Sequence, residues 1–185
     1  KNGKFWLFGG FACQGYNLPR KDLDDLWMYD PIANNWTWMA GDSIPCEAPN
    51  WGSKGVTAAT NKPGARWPYT NWTDNNGDLW FYGGGTHTCG SASNIYMADL
   101  WKCDISGTNP LWTWISGSSA TNELSQPGTQ CVPSISNFPG GSFEQRSEWK
   151  DDCGNFWMMG GKDKQYLWKY KPGTNEWVWV SGSLN

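Results

Sequence analysis

A single histidine, no apolar run near the ~20 residues that span a bilayer, and no clustering of the 14 Lys and Arg set the first limits on this 185-residue chain. His87-Thr88-Cys89 offers two ligand types, but a zinc or copper centre normally draws on three or more protein ligands. No metal or other cofactor is therefore expected. The net charge of −3 and scattered basic residues exclude the electrostatic footprint of a nucleic-acid binder. No basic amphipathic stretch suggests insertion into a membrane. No Gly-x-Ser-x-Gly elbow, phosphate-binding glycine loop or Ser-x-Asp-x-Gly-x-Thr-Trp box occurs. Asp22, Asp24 and Asp25 follow Arg20 and Lys21 in what reads as a solvated loop, too sparse in oxygen ligands for calcium. Asp74 and Asp151 fall in equivalent hairpin turns, which explains them before acid–base catalysis does.

What the chain has is aromatic residues and glycine: 16 Trp and 23 Gly. They are arranged in phrases written three times. Phe5-Trp6-Leu7-Phe8-Gly9-Gly10 returns as Leu79-Trp80-Phe81-Tyr82-Gly83-Gly84 and as Phe156-Trp157-Met158-Met159-Gly160-Gly161. A second phrase follows each time (Asp25-Leu26-Trp27, Asp99-Leu100-Trp101, Tyr166-Leu167-Trp168), then a third (Trp36-Thr37-Trp38, Trp112-Thr113-Trp114, Trp177-Val178-Trp179). Short β-branched and aromatic segments separated by Gly, Pro, Asn and Asp read as strands and turns. The second and third units hold four strands each, near 66–73, 78–82, 99–104 and 111–116, then 145–150, 155–159, 166–170 and 177–180. The first holds three, near 4–10, 25–30 and 36–39. The fold class is all-β, built from repeated antiparallel units too small to bury both faces alone.

Three details carry a family resemblance. A Gly-Gly pair ends the second strand of each unit; Tyr29 stands before Trp36 and Tyr170 before Trp177; and Pro63-Gly64-Ala65-Arg66 leads into a strand. These resemble the kelch repeat, and the Trp-rich phrases resemble the long-period kelch-like β-propellers of secreted and surface proteins, of galactose-oxidase-like propeller architecture. The second unit departs, with Cys103 in the Tyr place. The resemblance implies blades at about 1–62, 63–138 and 139–185, the first without its innermost strand. Propellers close with more blades than these, so the remainder is expected from the same longer chain or from an assembly partner. A start at Lys1 without Met agrees with a processed product or part of a longer polypeptide.

In such a blade the 2–3 loops and the loops leading to the next blade share one face, and the 1–2 and 3–4 turns share the other. That pairs Cys13 with Cys46 and Cys89 with Cys131, and on the opposite face Cys103 with Cys153. Six cysteines allow about 15 connectivities, and free buried thiols are the alternative. Disulfides would place the protein outside the cell or on its surface, where Asn35 of Asn35-Trp36-Thr37 is a candidate glycosylation acceptor. Asn71 matches the same pattern but is expected on an inner strand. Arg20, Trp51, Arg66, Trp67 and His87 are the candidate ligand contacts on the long-loop face, with the alternative for Arg66 that it satisfies loop carbonyls or a neighbouring carboxylate. The function expected is a non-enzymatic extracellular scaffold or adhesion module that binds protein or glycan. The alternative is the propeller domain of a carbohydrate-active enzyme or copper-radical-type oxidase with active residues elsewhere.

Overall fold

The computed structural model describes residues 1, 3–12, 21–87, 94–141, 147–160 and 166–183. These residues form thirteen strands and no helix. β1 (Phe5–Ala12), β2 (Lys21–Asp30) and β3 (Asn35–Ala40) make a first antiparallel sheet in that order. The second sheet runs β4 (Thr70–Thr73), β5 (Leu79–Tyr82), β8 (Ala98–Asp104), β9 (Leu111–Ser118). The chain between β5 and β8 forms a separate two-stranded hairpin of β6 (Gly85–His87) and β7 (Asn94–Tyr96). The third sheet is β10 (Ser147–Lys150), β11 (Phe156–Met159), β12 (Leu167–Lys171), β13 (Glu176–Ser181). The three-, four- and four-stranded meanders expected from the repeated phrases are all present.

Residue alternation puts apolar side chains on both faces of the second sheet, and both are covered. Leu79, Phe81, Trp101, Cys103 and Trp112 point one way and meet Phe8 and Leu26 of the first sheet. Trp72, Trp80, Tyr82, Ala98 and Leu100 point the other way and meet Phe156, Met158, Trp168, Tyr170 and Trp177 of the third. Trp72 stacks on Phe156 with ring centres 5.2 Å apart and donates its indole N–H to the Trp157 carbonyl. The second sheet is thus the filling between two others, and its large side chains have almost no water left to lose.

Turn chemistry fixes the hairpins. Asp74 accepts backbone N–H groups from Asn76 and Asp78 on one carboxylate oxygen and the Trp80 indole on the other. Asp151 does the same for Asn155 and Trp157. The β2–β3 and β12–β13 turns place Asn34 and Asn175 at φ 52° and 55°, each accepting a tyrosine hydroxyl, from Tyr29 and Tyr170. Asparagine tolerates this left-handed backbone better than most residues.

Three expectations are corrected. The Gly9-Gly10 pair does not end its strand: β1 continues to Ala12 across a bulge between Phe8 and Gly10. Gly9 sits at φ 59°, where an added Cβ would lie 2.7 Å from the Arg66 carbonyl, so the chains approach as only glycine permits. Asp22 and Asp24 are not in a solvated loop either; they belong to β2 and are buried. Asn71, expected inside, is exposed on β4, as Asn35 is at the start of β3.

The long loops are ordered repeats in their own right. The segment after β3 crosses to the second sheet, where Ala58 bridges Trp112 on β9; the segment after β9 crosses to the third, where Ser134 bridges Trp177 on β13. Asn61 donates its amide to the Val56 and Trp112 carbonyls, and Asn137 donates to those of Val132 and Trp177. Each loop covers the outer edge strand of the next sheet, which removes an edge otherwise open to pairing.

Candidate functional site

Two of the five candidate contact residues, Arg66 and Trp51, meet on Asp99 in a latch where the first and second sheets join, whereas Trp67 and His87 have other partners. Arg66 is fully buried and takes the second of its two expected roles, binding loop carbonyls and a neighbouring carboxylate rather than facing a ligand. Its guanidinium grips Asp99 in bidentate fashion, at 2.7 and 3.0 Å, and donates further to the Gly83 and Pro63 carbonyls. Asp99 also accepts the indoles of Trp101 at 2.8 Å and Trp51 at 3.1 Å. The backbone of Arg66 receives Gly10 N–H and donates to the Leu23 carbonyl, which ties β1 and β2 to the same point. A charge this deep is tolerated only when partners surround it; Arg66 spends its Nη1 and Nη2 donors on the fold, and its Nε has no partner among the described residues. Trp67 pairs through its backbone with Gly85 and through its ring with Phe11, 4.9 Å away. Arg20 lies outside the described residues.

His87 faces Asp22, whose carboxylate accepts the His87 backbone N–H at 2.5 Å and the Thr86 hydroxyl at 3.2 Å. The ring nitrogen Nδ1 stands 3.4 Å from the same oxygen. Asp22 therefore holds the end of β6 against β2. Asp24, two residues on, accepts Asp42 N–H on one oxygen, while its other oxygen is buried and has no partner among the described residues. Burial raises its pKa. Among the described residues no group of three or more His, Cys, Asp or Glu side chains is placed to hold a metal ion.

The cysteine pairings need correction. Cys103 and Cys153 are both free thiols. Cys103 lies on the face of the second sheet turned to the first and is fully buried, which pushes its thiol pKa up; Cys153 is exposed in the β10–β11 turn. They belong to opposite sides of the second sheet and cannot meet. Cys131 is also free and exposed, so its bridge to Cys89 is absent; Cys89 itself lies outside the described residues. Cys131 N–H bonds the Trp179 carbonyl as Gly55 N–H bonds that of Trp114. Cys131 thus takes the place of Gly55 in the repeated loop, not that of Cys46. Cys46 is disulfide-bonded. Its expected partner, Cys13, lies outside the described residues.

No family model matches the chain, and no curated protein is significantly similar to it.

The most exposed apolar surface is one that sequence reasoning did not single out. Phe5, Leu7, Trp36 and Trp38 on the free face of the first sheet are 63, 52, 54 and 53% exposed. With Trp27, Leu7 and Trp36 line a shallow apolar depression. The four side chains offer on the order of 400 Å² of accessible aromatic and aliphatic surface, within the range of the largest patches on monomers, which are often functional. The repeated phrases show what this face is. Phe5, Leu7, Trp27, Trp36 and Trp38 stand where the second sheet has Leu79, Phe81, Trp101, Trp112 and Trp114, the face covered by the first sheet. At the far end of the stack, Trp149 lies flat on Trp157, ring centres 5.6 Å apart, with Lys169 over Trp157. The inner counterpart is Lys102 over Trp80 beside Trp72, on the face that covers the third sheet. The two ends of the stack repeat the two halves of its internal joints.

Proposed function

We propose that this chain is a non-enzymatic scaffold module of kelch-like propeller type, whose work is to build and hold a protein assembly through its sheet faces. The observation that carries the proposal is the free face of the first sheet, residue for residue the same kind of surface that is buried under a neighbour in the second. The occupant it fits is another antiparallel sheet of the same aromatic kind, presenting side chains like Trp72, Trp80 and Tyr82. The loop architecture supports the same reading, because each ordered loop is spent on covering the next sheet rather than on lining an open cleft. The latch of Arg66 and Asp99 supports it too, since both Arg66 terminal nitrogens and both Asp99 carboxylate oxygens are engaged in bonds that hold the sheets together. An extracellular or surface location fits the disulfide at Cys46, and the exposed Asn35 fits a glycosylation acceptor there.

Sedimentation velocity tests the proposal. Wild-type protein should associate reversibly as concentration rises, and Leu7→Glu/Trp36→Glu should remain monomeric with unchanged stability. Identical sedimentation of the two proteins at every concentration would count against the face as an interaction surface.

A further inference from the structure

The segments that follow β3 and β9 close over their sheets with the same backbone. Gly41 and Gly117, at φ 99° and 84°, each press on the strand beside them, where an added Cβ would collide with the carbonyl of Asp24 or of Ala98. Asn50 bridges Lys62 as Gln126 bridges Phe138, and Ala65 N–H bonds the Glu47 carbonyl as Gly141 N–H bonds that of Glu123. The side chains at the closure differ. Asp24, Asp42 and Lys62 of the first loop stand where the second has Ala98, Ser118 and Phe138. The second loop thus makes this closure with no charge at those positions. Strand pairing differs as well: β8 and β9 pair as far as Ala98 and Ser118, whereas β2 and β3 stop at Leu26 and Ala40, and the Asp42 N–H goes to the Asp24 carboxylate at 3.0 Å.

Asp24 is 3% exposed, and its carboxylate oxygen not bonded to Asp42 is buried without a partner among the described residues. The nearby cation is committed elsewhere: Lys62 Nζ bridges the carboxylates of Asp42 at 2.6 Å and Glu47 at 2.9 Å. Asp22, two residues earlier and buried on the same side of β2, is held by the Thr86 hydroxyl and the His87 N–H. Burial is the main force raising the Asp24 pKa; the negative charges of Asp42 and Glu47 act in the same sense, and the Asp42 N–H and the positive charge of Lys62 oppose it. A neutral carboxyl can stay under the loop, but a carboxylate with one oxygen unserved is driven toward water. We propose that Asp24 makes the loop between the first and second sheets a pH-dependent closure, shut in mild acid and loosened toward neutral pH, while the loop between the second and third sheets stays shut across the same range. The folded state favours neutral Asp24, so the stability of the closure is fully present below the ordinary carboxylate value and is lost as pH rises through the raised one. This loop carries Trp51 and runs into Arg66, the two residues that meet on Asp99. Loosening its base therefore slackens the joint between the first two sheets.

Amide hydrogen exchange of the intact 185-residue chain, followed by NMR at about pH 5 and about pH 7.5 and corrected for the intrinsic exchange rate at each pH, tests this. Protection of the Asp42, Lys62 and Ala65 amides should fall about threefold or more from the lower pH to the higher. The equivalent amides of Phe138 and Gly141 in the second loop should keep theirs. Because both loops are read in one molecule, a general change of stability with pH cancels. Asp24→Asn keeps an acceptor for the Asp42 N–H and cannot ionise, so its first-loop protection should be the same at the two pH values. Equal pH dependence in the two loops would overturn the proposal, as would constant first-loop protection in the wild type or an Asp24→Asn variant that keeps the wild-type pH dependence. The comparison of loops within the wild type decides the matter even where the variant does not fold.

Discussion

Replacing Asp99 with alanine tests the reasoning about the latch at its most loaded point. The substitution removes both carboxylate contacts to Arg66, at 2.7 and 3.0 Å, and the acceptor of two indoles, while the guanidinium stays fully buried. Breaking a buried pair from one side costs about 3–5 kcal/mol, mostly because a charge is left without its counter-charge. Each indole left unsatisfied adds about 1 kcal/mol more. A loss of at least ~3 kcal/mol is a large share of the 5–15 kcal/mol that holds a typical domain together. In a chain of this length it should lower the melting temperature by roughly 6–12 °C. Urea unfolding followed by near-UV circular dichroism reads the change directly. Arg66→Met/Asp99→Leu, which removes both charges and keeps volume, should recover most of the loss, because hydrophobic replacement of a whole buried pair is close to neutral. If Asp99→Ala costs under ~1 kcal/mol, or the double variant is no better than the single, the pair does not organise the joint between the sheets.

Three further outcomes follow from the same geometry. Trp36→Ala should cost under ~1 kcal/mol in the isolated chain, whereas its buried counterpart Trp177→Ala should cost about 3–5 kcal/mol, read from urea midpoints; similar costs would mean that the exposed face is packed after all. Iodoacetamide under native conditions should label Cys131 and Cys153 but not Cys103 until the protein is unfolded, and rapid native labelling of Cys103 would contradict its placement between two sheets. Burial raises the Asp24 pKa, so the folded state favours the neutral carboxyl. The stability this contributes is present below the ordinary carboxylate pKa and lost as pH rises through the raised one. Asp24→Asn, which stays neutral, should therefore gain on the wild type as pH rises above about 4, the ordinary carboxylate value; a difference independent of pH would mean that burial does not favour the neutral form of Asp24.

The strands were legible because a half-buried strand writes its alternation into neighbouring residues, and Trp-x-Trp is that alternation at its plainest. The side hairpin of β6 and β7 was not, since Gly85-Thr86-His87 has no alternation to offer. The loop repeat was hidden for a related reason: Asn61 and Asn137 carry it through amide bonds to carbonyls, which leave no apolar pattern. A carboxylate or carbonyl partner for Arg66 was legible as one of two roles, but not which carboxylate, because nothing local to it announces Asp99, 33 residues away. The third sheet shows how narrow the signal is. Tyr166 replaces the Asp of the Asp-Leu-Trp phrase, and there the Trp168 indole, served by Asp25 or Asp99 in the other two copies, has no partner among the described residues. The free face is the strongest case. Trp36-Thr37-Trp38 and Trp112-Thr113-Trp114 are the same words, yet one is exposed and the other buried, because burial is decided by the neighbouring sheet and not by the strand itself.

The most direct measurement of the central claim is hydroxyl-radical footprinting of Trp36 and Trp38 in the protein as isolated in its native assembly, set against the isolated 185-residue chain. Ile32, 96% exposed and away from the sheet joint, serves as the internal reference. The account predicts strong protection of both tryptophans in the assembly, matching that of Trp112, with Ile32 unchanged. Equal oxidation of Trp36 and Trp38 in the two samples would contradict it.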